Sequence, residues 1–219
     1  MLRSIGYVAF GMSDGAVTVT GLVFGVAAGT NDPRIVLLAG ATGAISGAVS
    51  MMAGAYLEAA SGHERRDALL RRTRRRALEY PEPFIQRARS RMGALGYSDD
   101  EIEAVIAMYR RNPEALVDHV IAYEVGGNGP DAAPPIANAL WMFIAVIMAA
   151  WVPVVPFAFF DIDTARWVAL GLTGTLMVGL GYARGRIGQV NVWWAITQTV
   201  GIAGIAAVAG ITIGTAVTG

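Results

Sequence analysis

Residues 5–29 read IGYVAFGMSDGAVTVTGLVFGVAAG: 25 positions with one charged side chain, Asp14. A bilayer core about 30 Å thick takes roughly 20 mostly apolar residues in helical conformation. This stretch is long enough to cross it. Four further runs reach similar length, at residues 35–60, 136–160, 165–182 and 190–217. Short polar links join first to second (Thr30-Asn31-Asp32-Pro33), third to fourth (Asp161-Ile162-Asp163) and fourth to fifth (Arg184-Gly185-Arg186). The expectation is an all-α integral membrane protein with five transmembrane helices. A β-barrel would need short alternating strands in place of these continuous runs.

The composition agrees. The 219 residues are 54% hydrophobic and 16% charged, with mean hydropathy +0.48, whereas soluble domains carry about 25% charge. The charge is concentrated: residues 61–130 hold 12 of the 17 basic and 11 of the 17 acidic residues. That divides the chain into 1–60 (helices one and two), a small helical domain at 61–130, and 131–219 (helices three to five). Cysteine is absent, which excludes disulfides, thiolate metal sites and iron–sulfur clusters. All 17 basic residues are arginine. The segment after Met1-Leu2-Arg3 lacks the short apolar core and small-residue exit of a cleavable signal, and reads as a retained membrane helix.

With five spans, Arg3, the 61–130 segment, Arg184 and Arg186 share one side, and the other receives only Arg34 and Arg166. The positive-inside rule then places the N-terminus and residues 61–130 in the cytoplasm and the C-terminus opposite. A bacterial or archaeal plasma membrane suits a chain without a targeting segment.

Within 61–130, helix two is expected to run on through residues 64–76 until Pro81 and Pro83. Further helices are expected at 84–95, at 99–111 behind a capping box of Ser98 and Glu101, and at 114–125, followed by a flexible exit at 126–130. Glycines spaced by four (Gly11/Gly15, Gly21/Gly25/Gly29, Gly43/Gly47, Gly210/Gly214) read as seams where helix backbones approach closely, one of them a candidate dimer interface.

Only two carboxylates fall inside the expected spans, Asp14 and Glu58. An ionisable group in hydrocarbon costs a few kcal/mol and usually faces a pathway or a partner. No basic residue on its own helix is near enough to neutralise Asp14. It is either a cation ligand and proton carrier or a protonated acid bonded to a neighbouring helix. Met51 shares a helix face with Gly47, Ala55 and Glu58. A thioether there is a packing group or, beside a carboxylate, a ligand suited to Fe²⁺ more than to Ca²⁺ or Mg²⁺. Glu58 fits a cytoplasmic entrance or a snorkelling, arginine-paired surface acid. Asn138, Asn191 and Gln198 read as hydrogen-bonders between helices.

Ser13-Asp14-Gly15, Ala44-Ile45-Ser46 and Val49-Ser50-Met51-Met52-Ala53-Gly54-Ala55-Tyr56-Leu57 resemble the vacuolar iron transporter family. So do Arg111-Asn112-Pro113-Glu114-Ala115-Leu116-Val117-Asp118, Tyr123-Glu124-Val125-Gly126, and Pro153, Pro156 and Phe157. The resemblance spans almost the whole chain in order. It implies a homodimer whose pathway lies between subunits, lined by helices one and two. It further implies export of Fe²⁺ or Mn²⁺ (also Co²⁺ or Zn²⁺) from the cytosol by proton antiport, with no resident cofactor. The family's membrane aspartate falls on Asp14 and its pathway methionine on Met51. The family also collects metal through glutamates of the inserted domain, of which Glu124 remains; Glu64, Glu79 and Glu82 are weaker candidates, as are His63, Asp118 and His119.

Two departures stand out. Residues Gly40-Ala41-Thr42-Gly43 lack the acid common early in helix two, and Arg65-Arg66, Arg71-Arg72 and Arg74-Arg75-Arg76 would repel cations. Those arginines suit anionic lipid head groups. They leave open an alternative, a membrane-anchored scaffold of the same fold that moves no metal. The domain's net charge of only about +1 argues against nucleic acid. No nucleophile–base set, phosphate loop or HExxH motif points to an enzyme.

Overall fold

The computed structural model of the protein describes residues 2–124 and 134–218, with side chains placed for 8–123 and 134–218. Among these residues the secondary structure is entirely helical: α1 (Leu2–Gly29), α2 (Pro33–Glu79), α3 (Pro81–Ala94), α4 (Asp99–Arg111), α5 (Pro113–Glu124), α6 (Pro135–Trp151), α7 (Pro156–Phe159), α8 (Ile162–Ile187) and α9 (Val192–Thr218). The chain divides into two compact units, Met1–Leu57 with Pro135–Gly219, and Glu58–Pro134.

In the first unit, Val8–Gly29 of α1, α2, and α9 are long and apolar enough to cross a membrane. Exposed Leu38, Ile45 and Leu57 of α2 and Ile205 and Val208 of α9 give these segments apolar outward surfaces within the first unit. Trp167 near the start of α8 and Trp193 and Trp194 at the start of α9 are exposed, as expected for indoles at a lipid–water boundary. This is the build of an all-α integral membrane protein.

Helix α1 is the centre of that unit and packs on α6, α8 and α9. The glycine spacing explains how. A Cβ at Gly15 would lie 2.8 Å from the Val146 side chain of α6, and one at Gly25 would lie 2.9 Å from the Gly210 carbonyl oxygen of α9. Gly21 meets Ala206 on the same seam. Without these glycines the backbones could not touch. Gly47, by contrast, faces open space in the chain. Gly25→Ala is therefore expected to destabilise the detergent-solubilised protein by about 1–3 kcal/mol through overpacking. Gly47→Ala should stay within about 0.5 kcal/mol of the parent; thermal unfolding of the two variants side by side checks the contrast.

Helix ends are closed by named groups. The Asp32 carboxylate accepts from the Arg34 N–H (2.9 Å), with Pro33 as the first residue of α2. Asp161 accepts from the Thr164 N–H (3.1 Å), and that bond holds its carboxyl below the usual range. Arg166 of α8 donates to the Ala27 carbonyl and to the Thr30 carbonyl (3.4 Å), while pairing with Asp163 at 3.0 Å. It thus satisfies carbonyls that the end of α1 leaves without intrahelical partners, with a positive charge at the negative helix pole. Arg166→Gln is expected to cost about 2 kcal/mol, the loss of charged hydrogen bonds at a half-buried site. The same unfolding measurement reads it.

Several expectations need correction. Arg184-Gly185-Arg186, expected to link the fourth and fifth runs, lies inside α8, which continues to Ile187. Residues 136–160 do not form one helix: α6 ends at Trp151, residues 152–155 form a turn, and α7 restarts at Pro156. Pro153 has no N–H to donate and its ring crowds the preceding turn, whereas Pro156 sits at a helix start, where no donor is needed. Asn191, expected to bond between helices, instead caps α9: its side-chain oxygen accepts from the Trp193 (3.0 Å) and Trp194 (3.3 Å) N–H groups.

In the second unit Phe84, Ile85, Met92, Ile102, Ile106, Tyr109, Leu116 and Val117 form a separate core that also takes in Ala77 of α2. The expected capping box is present. The Ser98 hydroxyl accepts from the Glu101 N–H while the Glu101 carboxylate accepts from the Ser98 N–H at 2.8 Å, which holds the Glu101 carboxyl below its ordinary range. Helix α3 begins at Pro81, so Pro81 and Pro83 belong to its first turn and do not precede it. The expected exit at 126–130 lies outside the described residues.

Candidate metal pathway

Asp14 lies roughly 18 Å along α1 and is exposed on the surface of the chain. Phe10, Thr18 and Leu22 are exposed with it at four-residue spacing, so one stripe of α1 points away from the bundle. Neighbouring Ser13 spends its hydroxyl on the Ala9 carbonyl at 2.9 Å. Among the described residues, no hydrogen-bond donor or arginine is paired with the Asp14 carboxylate. The stripe leads into an open apolar groove of 600 Å³ between α1 and α9, which begins at Thr18 and Leu22 and ends near Thr30.

Met51 is half-buried on α2 and packs with Ala55 against a cluster of Ala48, Met142 and Val146. Gly11 and Gly15 of α1 press on the same Met142 and Val146. Asp14 adjoins Gly15, so the α1 backbone beside Asp14 and the Met51 side chain meet α6 at the same residues, Met142 and Val146, while the Asp14 side chain faces outward. Met142 is a second thioether at that contact, 5% exposed. Sequence reading missed it, because a methionine inside an apolar helix carries no periodic signal that separates a pathway residue from packing.

The acids of the second unit are placed differently. Glu79 pairs with Arg75 (2.7 Å), Glu82 with Arg110 (3.4 Å), Glu103 with Arg89 (2.5 Å) and Glu114 with Arg74 (2.8 Å). Glu79 closes α2 and Glu82 opens α3, so the two do not share a helix face. Glu58 and Glu64 are exposed on α2. His119 is stacked between Tyr109 and Tyr123, with ring centroids 5.4 and 4.6 Å away. The Glu124 side chain lies outside the described residues. Among those described, no three His, Cys, Asp or Glu side chains converge as a metal-ligand set.

A bundle of long apolar helices defines an all-α integral membrane protein. The sequence matches the model of the VIT family over residues 5–215, and the chain belongs to that family. It is 29% identical over 205 residues to vacuolar iron transporter 1 of Oryza sativa subsp. japonica, covering 92% of this chain and 81% of that protein. It is 28% identical over 200 residues to vacuolar iron transporter 1 of Eucalyptus grandis (91% and 80%). It is 25% identical over 188 residues to protein CCC1 of Saccharomyces cerevisiae, covering 84% of this chain and 58% of that protein. The relatives named here as iron transporters are transporters and not enzymes.

Proposed function

We propose that this chain is a divalent transition-metal transporter that moves Fe²⁺ or Mn²⁺ out of the cytosol in exchange for protons, as a homodimer with the pathway between subunits. The observation that carries this reading is Asp14: exposed on α1, inside an apolar span, and unpaired among the described residues. A carboxylate left against lipid would be costly. A second copy laid over the Asp14 stripe and the adjoining groove would cover it and bring two carboxylates together. Two such groups cannot both stay ionised cheaply without a cation. Metal binds when they are charged; protons replace it when they are not. The iron in the relatives' names supports iron as cargo; Mn²⁺, Co²⁺ and Zn²⁺ rest on the resemblance drawn from the sequence.

The proposed topology has five spans, with α6 and α7 together making the third and α8 the fourth. The arginine distribution puts the N-terminus and the 58–134 unit in the cytosol. The arginines of residues 65–76 would then lie near anionic head groups. Reconstitution into vesicles holding a pH-sensitive dye tests the function: external Fe²⁺ should drive a saturable pH change. A metal flux with no proton movement would overturn the antiport; no flux at all would overturn transport.

A second reading is a membrane-anchored scaffold of the same fold. Ion pairing of Glu79, Glu82, Glu103 and Glu114 by arginine favours it, since a metal-collecting domain would keep its acids open. The same vesicle experiment separates the two.

A further inference from the structure

Between α3 and α5 lies a cleft of 380 Å³ that the transport reading does not use. Its wall carries Arg87, Ser90 and Arg91 from α3 and His119 and Tyr123 from α5, with Phe84 beside them. Arginines 87 and 91 are four residues apart and so project from one face of α3. The Arg87 guanidinium lies over the Phe84 ring at 4.5 Å and that of Arg91 over the Tyr123 ring at 4.7 Å. Elsewhere in this unit Arg74, Arg75, Arg89 and Arg110 reach carboxylates. Arg91 instead meets an aromatic face, with no carboxylate paired to it among the described residues, and no described lining residue is acidic.

Stacking uses the flat face of the Arg91 guanidinium and leaves its in-plane N–H edge for an acceptor, whereas the Arg87 Nε–H already donates to the Pro83 carbonyl at 3.3 Å. A guanidinium fork matches the oxygens of a phosphate, and the charge-assisted bonds are strong. The Ser90 hydroxyl adds a donor on the same wall. The cleft falls within the size range of small-molecule sites and exceeds what a bare phosphate would fill.

We propose that this cleft binds a phosphate group carried on a larger molecule, with Arg91 as the principal contact and Ser90 beside it. The phosphate comes from a free phosphorylated metabolite or from a lipid head group. The inference is independent of whether the chain moves metal.

The experiment measures binding to the full chain in detergent, by calorimetry, with inorganic phosphate, adenosine monophosphate and inositol trisphosphate as probes. A parallel arm compares co-flotation with vesicles of phosphatidylcholine alone and of phosphatidylcholine carrying phosphatidylinositol 4-phosphate. Saturable binding of a soluble probe tighter than about 1 mM identifies a free ligand. Preference for the phosphorylated vesicles without soluble binding identifies a head group. In either arm R91Q is expected to weaken binding at least about tenfold, the scale of a lost charge-assisted fork, while R111Q, at the end of α4 and outside the cleft wall, leaves it unchanged. Should R91Q lower the unfolding midpoint, R91K decides instead, because it keeps the charge and removes the planar fork. Expected is a loss of about threefold or more. Absence of binding in both arms, equal binding by the Arg91 variants and the parent, or an equal loss in R111Q would overturn the proposal.

Discussion

Asp14→Asn is expected to reduce metal flux in proteoliposomes by at least about a hundredfold while the protein stays folded. The magnitude follows from what the carboxylate does: removing one partner of a desolvated charge pair costs about 3–5 kcal/mol, and each 1.4 kcal/mol or so is tenfold in rate or affinity. The folded state should not suffer. Within the chain Asp14 is exposed and no donor is paired with it among the described residues. Its amide replacement removes an unpaired charge from an apolar span, so the unfolding midpoint is expected to hold or rise. Loss of transport together with retained stability distinguishes a working carboxylate from a structural one. Undiminished flux would mean that Asp14 is not on the route.

Met51→Leu is expected to lower Fe²⁺ flux about tenfold and Mn²⁺ flux less. The exchange nearly conserves volume, so packing against Ala48, Met142 and Val146 should change stability by less than about 1.5 kcal/mol. What it removes is sulfur, a donor that favours the softer ion; tenfold is the low end of what losing a metal-site group costs. Flux of both ions at the parental rate would assign Met51 to packing. Met142, in the same cluster, is then the natural second substitution, because a remaining thioether can mask the loss of the first.

Much of the first unit was legible because length and apolar continuity dictate a membrane helix directly. Helices α1 and α9 fell close to their expected bounds, and α2 ran from Pro33 to Glu79 through the polar extension that its composition suggested. The capping box at Ser98 was legible because its chemistry is local, two residue types at a fixed spacing. The break at residues 152–155 was missed for a physical reason: apolarity marks membrane depth, not backbone continuity, and Pro153 interrupts the helix without interrupting the apolar run.

Long-range features left no sequence trace. The bond from Arg166 to the carbonyls ending α1 joins residues far apart in the chain. The meeting of the α1 backbone beside Asp14 and the Met51 side chain at Met142 and Val146 depends on a third helix. Four-residue glycine spacing foretold close approach but not the partner. Gly25 turned out to face Gly210, and Gly47 turned out to face nothing in its own chain. The arginine excess of residues 61–130 was visible as charge. Its division into ion pairs and aromatic stacks required the fold.

Anomalous diffraction from crystals of the protein soaked in Mn²⁺ or Fe²⁺ puts the central claim to its most direct test. The account predicts a peak bound jointly by the Asp14 carboxylates of the two copies, with Met51 beside it, that disappears in Asp14→Asn. Asp14 turned toward lipid, or clamped by an arginine of the second copy with metal bound only elsewhere, would contradict it.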